Sequence, residues 1–229
     1  MAFTAGNWGQ GRLLTGLAPG SSLSGYTAVI TKDNLPTSAL DGGSLSCLNG
    51  GGDWRFSTDI NGATQLPVEI VTCVTSATVG NTELIAWIRF PTYASGTRDV
   101  YAFWNKAGES QPLPGAAFGS EEVWQDYEAV IHANDAGTNG VFADSTGNGH
   151  GSTLTTGASL GTSATNPIGG SWPDFTKSEA ISLGSTAATL NGASNFTVQA
   201  LANYDQSSGS VGLISNRYSS LDTNWASIQ

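Results

Sequence analysis

Residues 144–152 read DSTGNGHGS and place an aspartate, an asparagine and a histidine within one short Gly-rich stretch. Four kinds of chemistry suit such a stretch: a phosphate cradle, a catalytic loop, a cation site or a tight turn. A phosphate cradle of the P-loop kind needs a lysine and a following helix, and the sequence supplies neither. A catalytic His150 needs a nucleophile or carboxylate partner, which the local spacing does not provide. Two readings stay open. In the first, the glycines take positive φ and the Asp144 and Asn148 side chains bond to nearby backbone, which makes a turn. In the second, the Asp144 carboxylate, the Asn148 side chain and loop carbonyls form a hard-oxygen calcium site.

Carboxylates also cluster in EEVWQDYE (121–128). If this segment is a strand, Glu122, Trp124, Asp126 and Glu128 share one face. A glycoside hydrolase needs an acid and a nucleophile flanking the scissile bond. Glucanases supply them from E-x-D-x-E on one strand, and Trp124 stands where the first of those glutamates belongs. No catalytic residue is assigned, and the chain is expected not to be an enzyme. Of seven tryptophans, Trp54, Trp87 and Trp104 fall inside strand patterns and are expected in the core. Trp172, in GGSWPDF, and Trp225 lie in loop-like sequence and are the candidates for stacking against a sugar ring. Cys47 and Cys73 are read as small buried thiols, or as a disulfide if the compartment is oxidising.

The elements that must position these residues are short strands. Helical periodicity is nearly absent. Alternating or β-branched runs occur at 26–31, 67–75, 83–90, 99–105, 127–133, 180–184 and 196–202, separated by turn sequences such as DGGS, NGGGD, DING and SSGS. The Gly-rich run 41–53 reads as a turn. This pattern predicts an all-β chain of two β-sandwich-like domains. AGESQPLPGAAFGSEE (107–122) carries prolines and small residues without a strand pattern, so 111–122 is the expected linker. The division is an N-terminal arm (1–20), a first domain (21–110), the linker, and a second domain (123–229) that looks short by several strands.

The chain has 229 residues, 8 Lys+Arg against 18 Asp+Glu and a net charge of −10. So few cations cannot release counterions from a phosphate backbone, which argues against nucleic acid, and the same balance disfavours an anionic membrane surface. No run approaches the length of a membrane span. The first sixteen residues have neither the basic nor the apolar region of a signal peptide. Thirty glycines and 11% charged residues, beside 39% hydrophobic content, describe a loop-rich protein that can still bury a core.

GGDWRFSTDINGATQLPVEI (51–70) resembles the D-x-R-F-T-D-x-D-G-x-T-x-L-P-x-E-I signature of an uncharacterised β-rich domain found ahead of laminin-G or concanavalin-A-like modules. AWIRFP (86–91) and VYAFWNKAG (100–108) are similar to that domain's later strands. VWQDYEAVIHAND (123–135), DSTGNGHGS and NFTVQALANYDQSSGSVGLISN (195–216) resemble the opening and a later hairpin of the laminin-G-like module. One residue, often an aspartate, is missing after His150 relative to that pattern. The resemblance implies a second domain of the laminin-G/concanavalin-A-like (jelly-roll) kind and a structural or adhesive role without a required cofactor. With the low charge and a start that carries no signal-peptide pattern, the expectation is a virion protein of a tailed phage: a tail fibre, an appendage or a capsid decoration. Its partners would be other virion proteins or further copies of itself, trimers included, and a host surface glycan. Residues 1–20 would be the docking segment. The alternative is a secreted or surface bacterial adhesin or carbohydrate-binding module.

Overall fold

The computed structural model describes residues 3–14, 21–93, 99–132 and 141–150, together with short strands at 152–154, 159–161, 172–174 and 181–182 and the single positions 197 and 199. The chain is all-β, as its patterning predicts. Among the described residues the α-helix content is a single turn, α1 (Ser120–Val123).

Two antiparallel sheets share one core. The first has the order β1-β7-β3-β4, formed by β1 (Gln10–Leu14), β3 (Arg55–Ser57), β4 (Gln65–Leu66) and β7 (Val100–Trp104). The second has the order β2-β6-β5, formed by β2 (Leu23–Thr31), β5 (Val68–Val74) and β6 (Glu83–Tyr93). Side chains on a strand alternate between faces, and the sequence of β6 uses that period. Leu84, Ala86, Ile88 and Phe90 enter the core with Ala28 and Ile30 of β2. From the other sheet come Leu14, Phe56, Leu66, Val100, Ala102 and Trp104, with Trp54 just ahead of β3. Trp54 stacks on Phe56 at 5.9 Å and packs on Trp104 at 5.1 Å, so three large rings pack together within this core. A bulge between Ile70 and Thr72 shifts the register of β5 on β6. The extra residue lets Val68 and, beyond the bulge, Cys73 both reach the core.

Residues expected to form an arm are part of the first sheet. β1 pairs along its length with β7, from Gln10 opposite Trp104 to Leu14 opposite Val100. Ahead of it, Ala5 N–H donates to Asn61 O, and the Phe3 ring meets Trp8 and Phe103 edge-on at 4.9 and 5.0 Å. The 111–122 segment, expected as a linker, also lies on the first unit. Arg55 donates to Ser110 O at 2.7 Å, the Gln111 amide reaches Gly51 O and Trp54 O, and Val68 N–H donates to Phe118 O. Proline and small residues here allow a close-fitting strap, whose backbone bonds are taken up by the domain beneath it.

Beyond the strap, β8 (Val141–Phe142), β9 (Ser152–Leu154) and β12 (Ile181–Ser182) form a small antiparallel sheet, while β10 (Ser159–Gly161) pairs with β11 (Trp172–Asp174). The 127–133 run, expected as a strand, forms none over its described residues 127–132. The expected strand at 196–202 and the full extent of the second domain lie outside the described residues. No helix among the described residues is long and apolar enough to cross a membrane.

Candidate functional site

Asp144 and Asn148 do come together in one turn. Asp144 Oδ1 accepts from Val130 N–H at 3.1 Å and Thr146 N–H at 3.0 Å; Oδ2 accepts from the Thr146 hydroxyl at 2.8 Å and His150 N–H at 2.9 Å. Burial alone raises the Asp144 pKa, but these four hydrogen bonds outweigh it and hold the carboxyl below its usual value. Asn148 turns its amide nitrogen to Tyr127 O and Glu128 O. Gly147 and Gly149, at φ of 77° and 79°, let the chain reverse so that four donors converge on one carboxylate. Both Asp144 oxygens are thus occupied by donors, the bonding of a self-capped turn. The histidine has a partner that local spacing could not show: His150 Nε2 donates to Glu128 Oε1 at 2.8 Å, across 22 residues.

A second cluster sits on the outer face of β5–β6. Glu69 and Trp87 are directly opposite one another on these strands and point away from the core. Over them lies the chain after α1. The Trp124 ring packs on Trp87 at 5.3 Å, and its indole N–H donates to Glu69 Oε2. His132 Nε2 donates to the same oxygen at 2.8 Å, with Glu69 and His132 side chains only 13% and 16% exposed. Two residues along β6, Arg89 grips Asp126 Oδ2 through Nε at 3.2 Å and Nη2 at 2.6 Å. Gly25, at φ 66°, lies where any side chain would run into the Asp126 carboxylate.

This geometry corrects the carboxylate reading of 121–128. Glu122 lies in α1 and Asp126 in the turns that follow it, so the alternation a strand would impose does not hold. Asp126 faces Arg89, and Glu128 faces His150. It also corrects Trp87, which stands on the outer face beneath Trp124, while Trp54 and Trp104 are core as expected. Trp172 opens β11, its backbone opposite Gly161; its side chain and all of Trp225 lie outside the described residues.

The charged residues of the 51–70 signature have internal partners. Asp53, fully buried, accepts from Leu48 N–H at 2.9 Å, Asn105 N–H at 2.8 Å and Lys106 N–H at 3.1 Å. Arg55 donates to Gly52 O and Trp54 O and is ion-paired with Glu109 at 3.2 Å. Desolvation lowers its pKa, against the opposing pull of Glu109 and Asp53. Asp59 closes its own turn through Asn61 and Ala63 N–H. A cleft of about 340 Å³ opens beside Arg55, between Phe3, Trp8 and the 112–118 strap. Its charges are already engaged: Glu109 binds both Arg55 and Lys106, and the Lys106 ammonium sits 4.1 Å from the Trp8 ring centre.

No family model, no curated protein and no solved structure matches this chain. The Glu69–Trp124–His132 cluster was missed by reasoning on residue types. Its signal was present: a lone carboxylate on the outward face of a β-branched strand and a lone histidine in the apolar run AVIHA. Each calls for a buried partner.

Proposed function

We propose that this chain is a non-enzymatic structural and adhesive protein of a virus particle of the tailed-phage type, built into a tail fibre, an appendage or a capsid decoration. Its neighbours are other particle proteins or further copies of itself, and its adhesive target is a host surface glycan. One observation carries the non-enzymatic part: the distinctive charged residues of the signature, Asp53, Arg55, Asp59 and Glu69, are bonded to the chain's own backbone and side chains. A catalytic carboxylate pair must face a cleft with acceptor positions left for substrate and water. These carboxylates instead hold loops and a strap in place. The second half is proposed as the laminin-G/concanavalin-A-like module that the motif order suggests. The particle setting rests on that same order, an analogy at the level of modules, together with the charge-poor, Gly-rich composition.

The test is quantitative peptide mass spectrometry on density-purified virus-sized particles, with abundance compared against the coat protein. The expected result is co-purification at a fixed copy ratio, high for a decoration and low for a fibre. Recovery only in the soluble secreted fraction refutes the particle reading. Glycan-array binding would then examine the secreted carbohydrate-binding alternative.

A further inference from the structure

Cys47 and Cys73 are 26 positions apart in sequence, yet their sulfurs are 3.6 Å apart, both residues only 6% exposed and neither bonded to another sulfur. The contact is framed from both sides. Residues 39–51 lie against the end of β5 through Ser76 N–H to Leu40 O, Gly50 N–H to Cys73 O and Thr75 N–H to the Asn49 side chain. Cys47 N–H is itself fixed on Ala39 O at 2.9 Å. Gly51, at φ 74°, permits the approach, since a side chain there would press on Cys73 Cβ at 3.0 Å. The Trp54 indole N–H is fully buried and makes no hydrogen bond. Its nearby positive end favours negative charge on either sulfur.

From this geometry we propose that Cys47 and Cys73 are a covalent modification site: a dithiol that a small peroxide-class oxidant converts to an intrachain disulfide once the protein meets an oxidising exterior. The two sulfurs share one hydrogen bond, so the thiol that keeps its proton stabilises a thiolate on the other; Cys73, whose pKa this bond lowers, is taken as the attacking sulfur. The Cys73 thiolate attacks one oxygen of hydrogen peroxide; the O–O bond breaks, and sulfenic acid and hydroxide form. Cys47 then attacks the sulfenic sulfur. The S–O bond breaks, the S–S bond forms, and the Cys47 proton leaves with the departing oxygen as water. In total two thiols and one peroxide give one disulfide and two waters. Closing the link staples the Gly-rich run 41–53 onto β5. The same run leads into Asp53, Trp54 and Arg55, so the staple secures the segment that holds the core together. In a reducing cytosol the pair stays as thiols.

The experiment uses the purified full chain, reduced and then exposed to hydrogen peroxide under native conditions. Non-reducing peptide mapping should join the Cys47 and Cys73 peptides, with the intact chain lighter by two hydrogens at the cysteines and still monomeric in covalent terms. The melting temperature should rise by roughly 6–12 °C, as expected for a loop of this length in a chain of this size, and should fall back on reduction. Cys47→Ser and Cys73→Ser should each abolish both the link and the rise. Three results would overturn the proposal: thiols that stay free in the folded chain, oxygen addition at either cysteine without a link, or a disulfide between chains. All three can be read on the unmodified sequence, so poor folding of a serine variant does not protect the idea.

Discussion

Replacing Asp53 by alanine tests whether the signature charges serve the fold. The carboxylate is fully buried and accepts three backbone N–H groups, from Leu48, Asn105 and Lys106. Alanine leaves all three without an acceptor, at about 1–3 kcal/mol for each buried donor. Part of that sum returns, because a buried carboxylate no longer has to be desolvated. The net loss is then about 3–5 kcal/mol, or a fall in melting temperature of roughly 6–20 °C for a chain of this size. Asp53→Asn keeps the shape but turns an amide N–H₂ toward donors, so it should lose nearly as much. Asp33→Ala, at an exposed position, is the control and should stay within about 0.5 kcal/mol of the parent. The assay is urea denaturation followed by tryptophan fluorescence, with thermal melts alongside. A parent-like or raised stability for Asp53→Ala would refute the reasoning. Functional carboxylates are often held at the expense of stability, so that outcome would remove the observation on which the non-enzymatic reading stands.

Two further outcomes follow from the junction and the turn. Glu69→Ala removes the one oxygen that accepts from both Trp124 and His132, so it should lose about 1–3 kcal/mol; hydrogen exchange should speed up across 120–132 while β7 amides hold, and unchanged exchange there would break the argument. The Asp144 carboxyl has its pKa lowered in the folded chain, so its contribution is complete above the unfolded aspartate value of about 3.9 and is lost as pH falls through the lower folded value. Exchange at the Val130, Thr146 and His150 amides should therefore show an extra acid-side opening that Asp144→Asn abolishes. With both oxygens taken by donors, added calcium should leave these amides and the melting temperature unchanged; protection that rises with calcium would restore the cation-site reading.

Four strands of the first unit, β2, β5, β6 and β7, were legible because each carries its own period, whereas β1, β3 and β4 are too short or too polar to show one. In YTAVIT and ELIAWIRF, alternate residues are apolar enough to show which face is buried. What defeated sequence reading was residues whose partners are distant. EEVWQDYE has strand-like alternation, yet Trp124 finds Glu69 and Asp126 finds Arg89, and those long-range bonds favour a helical turn followed by irregular chain. The prolines and glycines of 107–119 look the same whether the chain floats as a linker or lies flat as a strap. The difference is made by the Arg55 guanidinium and the Gln111 amide, which supply partners for the carbonyls. His150 could be placed in its turn from DSTGNGHGS alone; its pairing with Glu128 depends on how residues 127–130 fold back over that turn.

The chain after α1 also narrows where a neighbour could dock. A sheet with one buried face usually leaves the other for solvent or a partner, and the outer face of β5–β6 carries Trp87 and Arg89, side chains able to anchor an interface. Here that face is taken by the chain itself, through Trp124 on Trp87 and Asp126 on Arg89. A partner would have to displace an indole bonded to a carboxylate and an arginine pair before gaining any contact. The first sheet is different: β1 stands at the end of its order, and Leu13 on that strand is 40% exposed. Residues 10–14 can therefore offer a free sheet edge to a neighbour, with their inner side committed to β7. Deleting them to test docking would remove a strand as well as a contact. Exposed substitutions on β1, such as Arg12→Glu, separate the two effects, because they alter the edge and leave the β1–β7 pairing in place.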